Sequence, residues 1–238
     1  MGWKVLCDFD GTVSMRDTMD TLLERYGLPA WRAIEEDWKR GRVGSRTCMQ
    51  RQVRLLQLDR ATLDQHLDQQ EVDPDFVAFV AWTRARRLPV TIVTDGLDYA
   101  IDRILANNGV TGLPVVANRL RLTARGWRLS SPHQATSCLS GTCKCACAVR
   151  ARTEPHSRVL LIGDGRSDFC VASSADFVLA KGALIDHCRS HGIPHAPICG
   201  FGDVISLLPW VLGQAHAQKP SCAAMGAVEP VTHHLSRR

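Results

Sequence analysis

The stretch Trp3-Lys4-Val5-Leu6-Cys7-Asp8-Phe9-Asp10-Gly11-Thr12-Val13 couples an apolar run to a polar turn holding two carboxylates. Trp3 to Cys7 has the length and apolarity of a buried strand, and Asp8 to Thr12 close it. Two acids spaced by one residue, just past a strand end, stand on the same side of the chain. Gly11 lets the backbone turn close to whatever they hold.

Two later apolar runs end in the same kind of sequence. Val90–Val93 leads into Thr94-Asp95-Gly96, and Val159–Ile162 leads into Gly163-Asp164-Gly165-Arg166-Ser167-Asp168. Further strands are expected at Leu113–Ala117 and Phe177–Leu179, with helices at Phe76–Arg87, Tyr99–Asn108 and near Asp168–Ser174. Arg119–Leu129 reads as a polar hairpin. Strands alternating with helices predict an α/β fold, a doubly wound parallel sheet with right-handed crossovers.

Between the first two strands the periodicity is helical throughout. Met19, Leu22, Leu23 and Tyr26 share one face, and Trp31, Ile34 and Trp38 another after Pro29. Ser45 is the expected cap of a third helix and Asp59 of a fourth. The expected organisation is therefore a core of residues 1–13 and 73–213, an inserted helical cap of residues 14–72, and a flexible tail of residues 214–238.

In an open parallel sheet, ligands bind beyond the carboxyl ends of the strands, where these acidic turns converge. Clustered carboxylates repel one another and call for a cation, and hard oxygen donors favour Mg2+. Such a site attracts a phosphoryl group, which one carboxylate can attack while the second serves as general acid and then base. Thr94 and a lysine are the expected holders of the remaining phosphoryl oxygens.

Asp8-Phe9-Asp10-Gly11-Thr12-Val13, Thr94, Lys144 and Gly163-Asp164-Gly165-Arg166-Ser167-Asp168 together resemble the four motifs of the haloacid dehalogenase superfamily, from about Val5 to Leu179. The resemblance implies Asp8 as nucleophile and Asp10 as acid/base. It implies Thr94, Lys144, Gly11 and Asp95 around the phosphate, and Asp8, Asp10, Asp164 and Asp168 around Mg2+. The helical insert resembles the cap of the phosphoserine-phosphatase-like branch. That branch has Glu and Arg where this chain has Asp17 and Gln52, and a serine carboxylate loses its bidentate partner without the guanidinium. Thr94-Asp95-Gly96-Leu97-Asp98, Ala117-Asn118 and Gly141-Thr142-Cys143-Lys144 are more similar to the methionine-salvage branch, which dephosphorylates 2-hydroxy-3-keto-5-methylthiopentenyl-1-phosphate. Asp95 departs from the second glycine common there. Asp17, Gln52 and Arg46 are the candidates for substrate recognition.

The chain has 238 residues, 45% hydrophobic and 22% charged, the composition of a globular protein. Its net charge of +5 is dispersed: residues 14–72 hold ten basic and ten acidic side chains, and the tail supplies two of the five charges. No basic stripe interleaved with aromatics marks a nucleic-acid footprint, and no apolar run reaches membrane-spanning length. Ten cysteines without a secretory leader read as reduced thiols in the cytoplasm. The spacing within Cys138, Cys143, Cys145 and Cys147 fits zinc poorly, and His187 and His191 read as the end of a surface helix. The expected partner is a small phosphorylated metabolite, for a monomer or homodimer. The rival readings are a phosphotransferase, a non-catalytic binding protein that kept the fold, and a Cys/His metal-binding module.

Overall fold

The computed structural model describes residues 2–154 and 156–213, and the expected tail lies outside the described residues. In chain order the elements are β1 (Trp3–Cys7), α1 (Thr18–Tyr26), α2 (Trp31–Lys39), α3 (Ser45–Val53), α4 (Arg60–Leu67), α5 (Phe76–Ala85), β2 (Val90–Leu97) and α6 (Asp98–Asn107). They continue with β3 (Val115–Thr123), β4 (Gly126–Ser130), α7 (Lys144–Ala151), β5 (Arg158–Gly163), a 3-10 turn (Arg166–Asp168), α8 (Phe169–Ala172), β6 (Phe177–Ala180), α9 (Ala183–Ser190), β7 (His195–Pro197) and α10 (Phe201–Gly213).

The seven strands form one sheet in the order β4-β3-β2-β1-β5-β6-β7. All neighbours are parallel except β3 and β4, a hairpin pairing Arg119 with Ser130 and Thr123 with Gly126. The expected third strand and the expected hairpin are thus one unit. Polar side chains on β3 beyond Asn118 face solvent, so apolarity alone ends that strand too early.

Successive residues of the central strands feed opposite layers, as the two-residue pleat requires. Val5, Cys7, Leu160 and Ile162 pack toward α5 and α10, while Leu6, Val159 and Leu161 pack toward α7, α8 and α9. Phe201 anchors the first layer, with its ring centroid 4.9 Å from both Phe76 and Phe79. Burying such a ring contributes about 1.5–3 kcal/mol. The segment after β6 has no counterpart among the sequence expectations apart from the His187/His191 helix end. β7 spans three residues, too few for an alternation to register, whereas α10 buries Phe201, Val204, Leu208 and Val211 along one helical face.

The helices α1–α4 leave and rejoin the sheet at one place. Ser14 bridges Val72, Met15 N donates to Glu71 O at 3.0 Å, and Asp73 N donates to Val13 O at 2.8 Å. Asp59 caps α4, accepting from Thr62 N at 2.8 Å, as its position predicts. Ser45 does not cap α3. The N-cap is Gly44, and the Ser45 hydroxyl points instead to Asp95. Trp31, Ile34 and Trp38 are only half-buried, because the face of α2 that carries Trp38 borders a pocket rather than the core. Among the described residues no helix is long and apolar enough to cross a membrane.

Candidate active site

Because β1 is flanked by β2 on one side and β5 on the other, its carboxyl end opens at the point where the connections diverge. Asp8 follows directly from β1, Thr94 to Gly96 lie in a register shift of β2, and Asp164 follows β5. The register shift turns the Thr94 hydroxyl onto its own turn, where its Oγ1 accepts from Gly96 N at 3.0 Å.

Asp8, Asp164 and Asp168 each place a carboxylate oxygen within 4.8 Å of the others, and no other cluster of three or more such ligands exists among the described residues. Asp8 and Asp168 are buried. Lys144, also buried at the start of α7, donates to Asp8 Oδ1 at 2.8 Å, to Asp168 Oδ1 at 2.7 Å and to Ser167 Oγ at 3.0 Å. Burial alone would lower this ammonium's pKa, but Asp168 and Asp8 hold it well above the usual lysine range. Burial, followed by the charge of Asp8, raises the carboxyls of Asp168 and Asp164. One fixed cation among three crowded carboxylates leaves surplus negative charge, and all the donors are hard oxygens. That combination fits Mg2+.

Asp10 turns away from this trio toward the insert, where its Oδ1 accepts from Thr18 N at 2.9 Å. Burial outweighs that bond and raises its carboxyl to about 6. Gly96 permits the approach: a Cβ there would stand 2.6 Å from Asp10 Oδ2. Gly11 has a positive φ of 74°, and a Cβ on it would meet Asp164 Oδ2 at 2.5 Å. Asp164 is also steadied by Thr12, whose hydroxyl donates to it at 3.1 Å.

A pocket of about 270 Å³ joins these groups to the insert. Asp17, Asp20, Glu35, Met19, Met49 and Trp38 line its outer part, and Gln52 lies at its wall. Gln52 is buried and donates to Glu35 Oε2 at 2.9 Å. Asp17 caps α1, accepting from Asp20 N at 2.9 Å, and burial together with Asp10 and Asp20 raises its carboxyl. Arg46 does not line the pocket. Its guanidinium donates to Gln134 and to Cys138 O. Asp95 lines the pocket but both its oxygens are taken, so an acceptor-only carboxylate there offers nothing to a phosphoryl oxygen.

Two of the four clustered cysteines take local hydrogen-bonding roles on α7. Cys143 Sγ caps α7, accepting from Ala146 N at 3.4 Å, and Cys147 Sγ accepts from Arg150 at 3.0 Å. Thr12, Thr18, Glu35 and Ser167 also shape the site without having been singled out from sequence. Ser167 and Thr12 sit inside the acidic turns, whereas Glu35 carries no local signal on α2.

The family description "haloacid dehalogenase-like hydrolase" matches residues 5–173, well over half of the chain. The chain belongs to the haloacid dehalogenase-like hydrolases. This hydrolase is 28% identical over 208 residues to a 2-hydroxy-3-keto-5-methylthiopentenyl-1-phosphate phosphatase of Geobacillus kaustophilus (strain HTA426), covering 86% of this chain and 94% of the relative. Its fold is similar to that of a substrate-bound phosphoserine phosphatase, with a TM-score of 0.66 at 15% identity over 88% of this chain and 98% of the other. It is likewise similar to a hydrolase of this family from Salmonella enterica subsp. enterica serovar Typhi, with a TM-score of 0.68 at 17% identity over 87% and 69%.

Proposed function

We propose that this hydrolase is a Mg2+-dependent phosphomonoesterase that works through an aspartyl-phosphate on Asp8, with residues 14–72 acting as a cap over the substrate. The observation that carries the reading is the ion cluster at the end of β1. A buried carboxylate, Asp8, stands between a lysine and two further acids, with a separately held carboxyl, Asp10, two residues on.

In the forward step an Asp8 oxygen bonds to phosphorus and the bond from phosphorus to the ester oxygen breaks. Asp10, with its carboxyl near 6, is poised to give a proton to the departing oxygen. Water then attacks the phosphoryl group, Asp10 takes its proton, and the carboxylate of Asp8 is restored as phosphate leaves. Asp8, Asp164 and Asp168 would hold Mg2+, which would supply positive charge for the phosphoryl oxygens. The Thr94 hydroxyl accepts from Gly96 N, so its own proton is available to a phosphoryl oxygen. Lys144 has spent all three N–H donors and must hand one over. The bond to Ser167, at 3.0 Å, is the longest of the three.

The substrate reading rests on the outer pocket. Seven carboxyl side chains and one arginine line the pocket as a whole, and Gln52 is committed to Glu35. That environment disfavours a leaving group with its own carboxylate, such as phosphoserine. Hydroxyl donors suit Asp17 and Glu35, and a thioether suits Met19, Met49 and Trp38. We therefore place 2-hydroxy-3-keto-5-methylthiopentenyl-1-phosphate, or a phosphomonoester like it, ahead of phosphoserine. The nine described cysteines are all free, which supports a reducing, cytoplasmic setting.

Turnover of the two esters should be compared side by side, with and without EDTA, counting inorganic phosphate. Preference for the thioether ester, lost with EDTA and restored by Mg2+, is the expected result. Preference for phosphoserine overturns the substrate reading. Ester consumed without matching phosphate release would mark a phosphotransferase instead.

A further inference from the structure

We propose that Asp95 is a positioning residue that clasps helix α3 of the insert to the loop preceding Lys144, so that phosphate affinity depends on a closed cap. The proposal rests on the phosphatase reading and concerns how its two parts are coupled.

Asp95 follows the phosphate-facing Thr94 and joins three separate elements. Its Oδ2 accepts from Ser45 Oγ, the first residue of α3, at 2.6 Å. Its Oδ1 accepts from Thr142 N, two residues before Lys144, also at 2.6 Å. Its backbone carbonyl accepts from Asn118 Nδ2 at 2.6 Å, which fixes the strand beneath. Thr142 and Asn118 are buried, so both bonds to the core are shielded from water. Hydrogen bonds to a charged acceptor in such surroundings are the stronger kind.

The same loop touches α3 at a second point. Arg46 N donates to Leu139 O at 3.2 Å, and the Arg46 guanidinium holds Gln134 and Cys138 O. Gly44 permits the approach, since a Cβ there would stand 2.5 Å from Leu139 Cβ and 2.6 Å from Leu139 O. The start of α3 and the segment leading to Lys144 are thus tied at both ends of a short stretch. Swinging α3 away would free an oxygen of Asp95 and release the loop that delivers the lysine to Asp8. Closure over the substrate and presentation of Lys144 become one event. Arg46 accordingly serves the clasp rather than substrate recognition.

The test is the affinity for inorganic phosphate with Mg2+ present, measured by calorimetry on the full chain, which requires no turnover. Ser45→Ala should weaken phosphate binding roughly tenfold, the loss of one charge-assisted bond. Ser45→Thr, which keeps the hydroxyl, should restore it. Asp95→Ala should weaken binding at least as much, and adding Ser45→Ala to it should cost nothing further, because the two residues act through one contact. In steady-state assays KM should rise with kcat changed less than about twofold. Equal phosphate affinity in the wild type and Ser45→Ala overturns the clasp. So does a Ser45→Ala effect that persists undiminished on the Asp95→Ala background, which would make Ser45 a direct contact. A wild type that neither binds phosphate nor hydrolyses any ester would instead sink the phosphatase reading.

Discussion

Replacing Lys144 by Met tests whether the site is held together by charge. The lysine is 5% exposed and lies between Asp8, 4% exposed, and Asp168, fully buried. Methionine keeps the length and apolar stem but strands both carboxylates. Removing one partner of a buried ion pair costs about 3–5 kcal/mol. For a chain of this size each kcal/mol shifts the melting temperature by about 2–4 °C, so a fall of roughly 6–20 °C is expected. The deficit should depend on pH. Burial and the charge of Asp8 already raise the Asp168 carboxyl, and losing the lysine that opposes them raises it further, so the folded chain binds more protons than the unfolded chain. Stability then falls as pH rises from the unfolded value through the folded one. Thermal melts in EDTA at pH 5.5 and pH 8 should therefore show the larger loss at pH 8. Adding Asp168→Asn, which removes one stranded charge, should recover part of it. A Lys144→Met protein that melts within about 2 °C of the wild type at both pH values would refute this electrostatic reasoning.

Gly11→Ala forces a Cβ against Asp164 Oδ2 at a backbone with φ of 74°. It should cost about 1 kcal/mol in urea unfolding and raise the Mg2+ concentration needed for half-maximal activity. His66 lies 2.9 Å from Thr21 Oγ1 in the insert, and burial, with Arg25 and Arg16 nearby, holds its imidazole below the usual histidine range. The unfolded chain thus binds the extra proton, so stability should fall as pH drops through about 6.5. Melting curves of His66→Gln should lack that part of the acid sensitivity.

The parallel core was legible because β1, β2 and β5 are continuous apolar runs, the mark of strands buried on both faces. The acidic turns at their ends point to one shared crevice, and Asp8, Asp10 and Asp164 line the same pocket. What sequence could not convey is which way a polar group turns. Ser45 has the composition of a helix cap and serves Asp95 instead, and Arg46 looks like an anion binder but holds a loop. The Asp95 carboxylate, expected beside the phosphate, has both oxygens engaged by Ser45 and Thr142 N. Glu35 and Gln52 meet only through the packing of α2 on α3, a contact between residues 17 positions apart. β7 escaped because a three-residue strand carries no periodic signal, whereas α10 holds a readable stripe, Phe201, Val204, Leu208 and Val211, masked by a proline inside the helix at Pro209.

The central claim, covalent catalysis by Asp8, is tested most directly by acid-quenching the hydrolase during turnover with Mg2+ and locating the phosphoryl group by peptide mass spectrometry. It should be found on the peptide containing Asp8, be removed by hydroxylamine, and be missing from a folded Asp8→Asn variant that releases no phosphate. A phosphoryl group on any other side chain, or full phosphate release by Asp8→Asn, would contradict it.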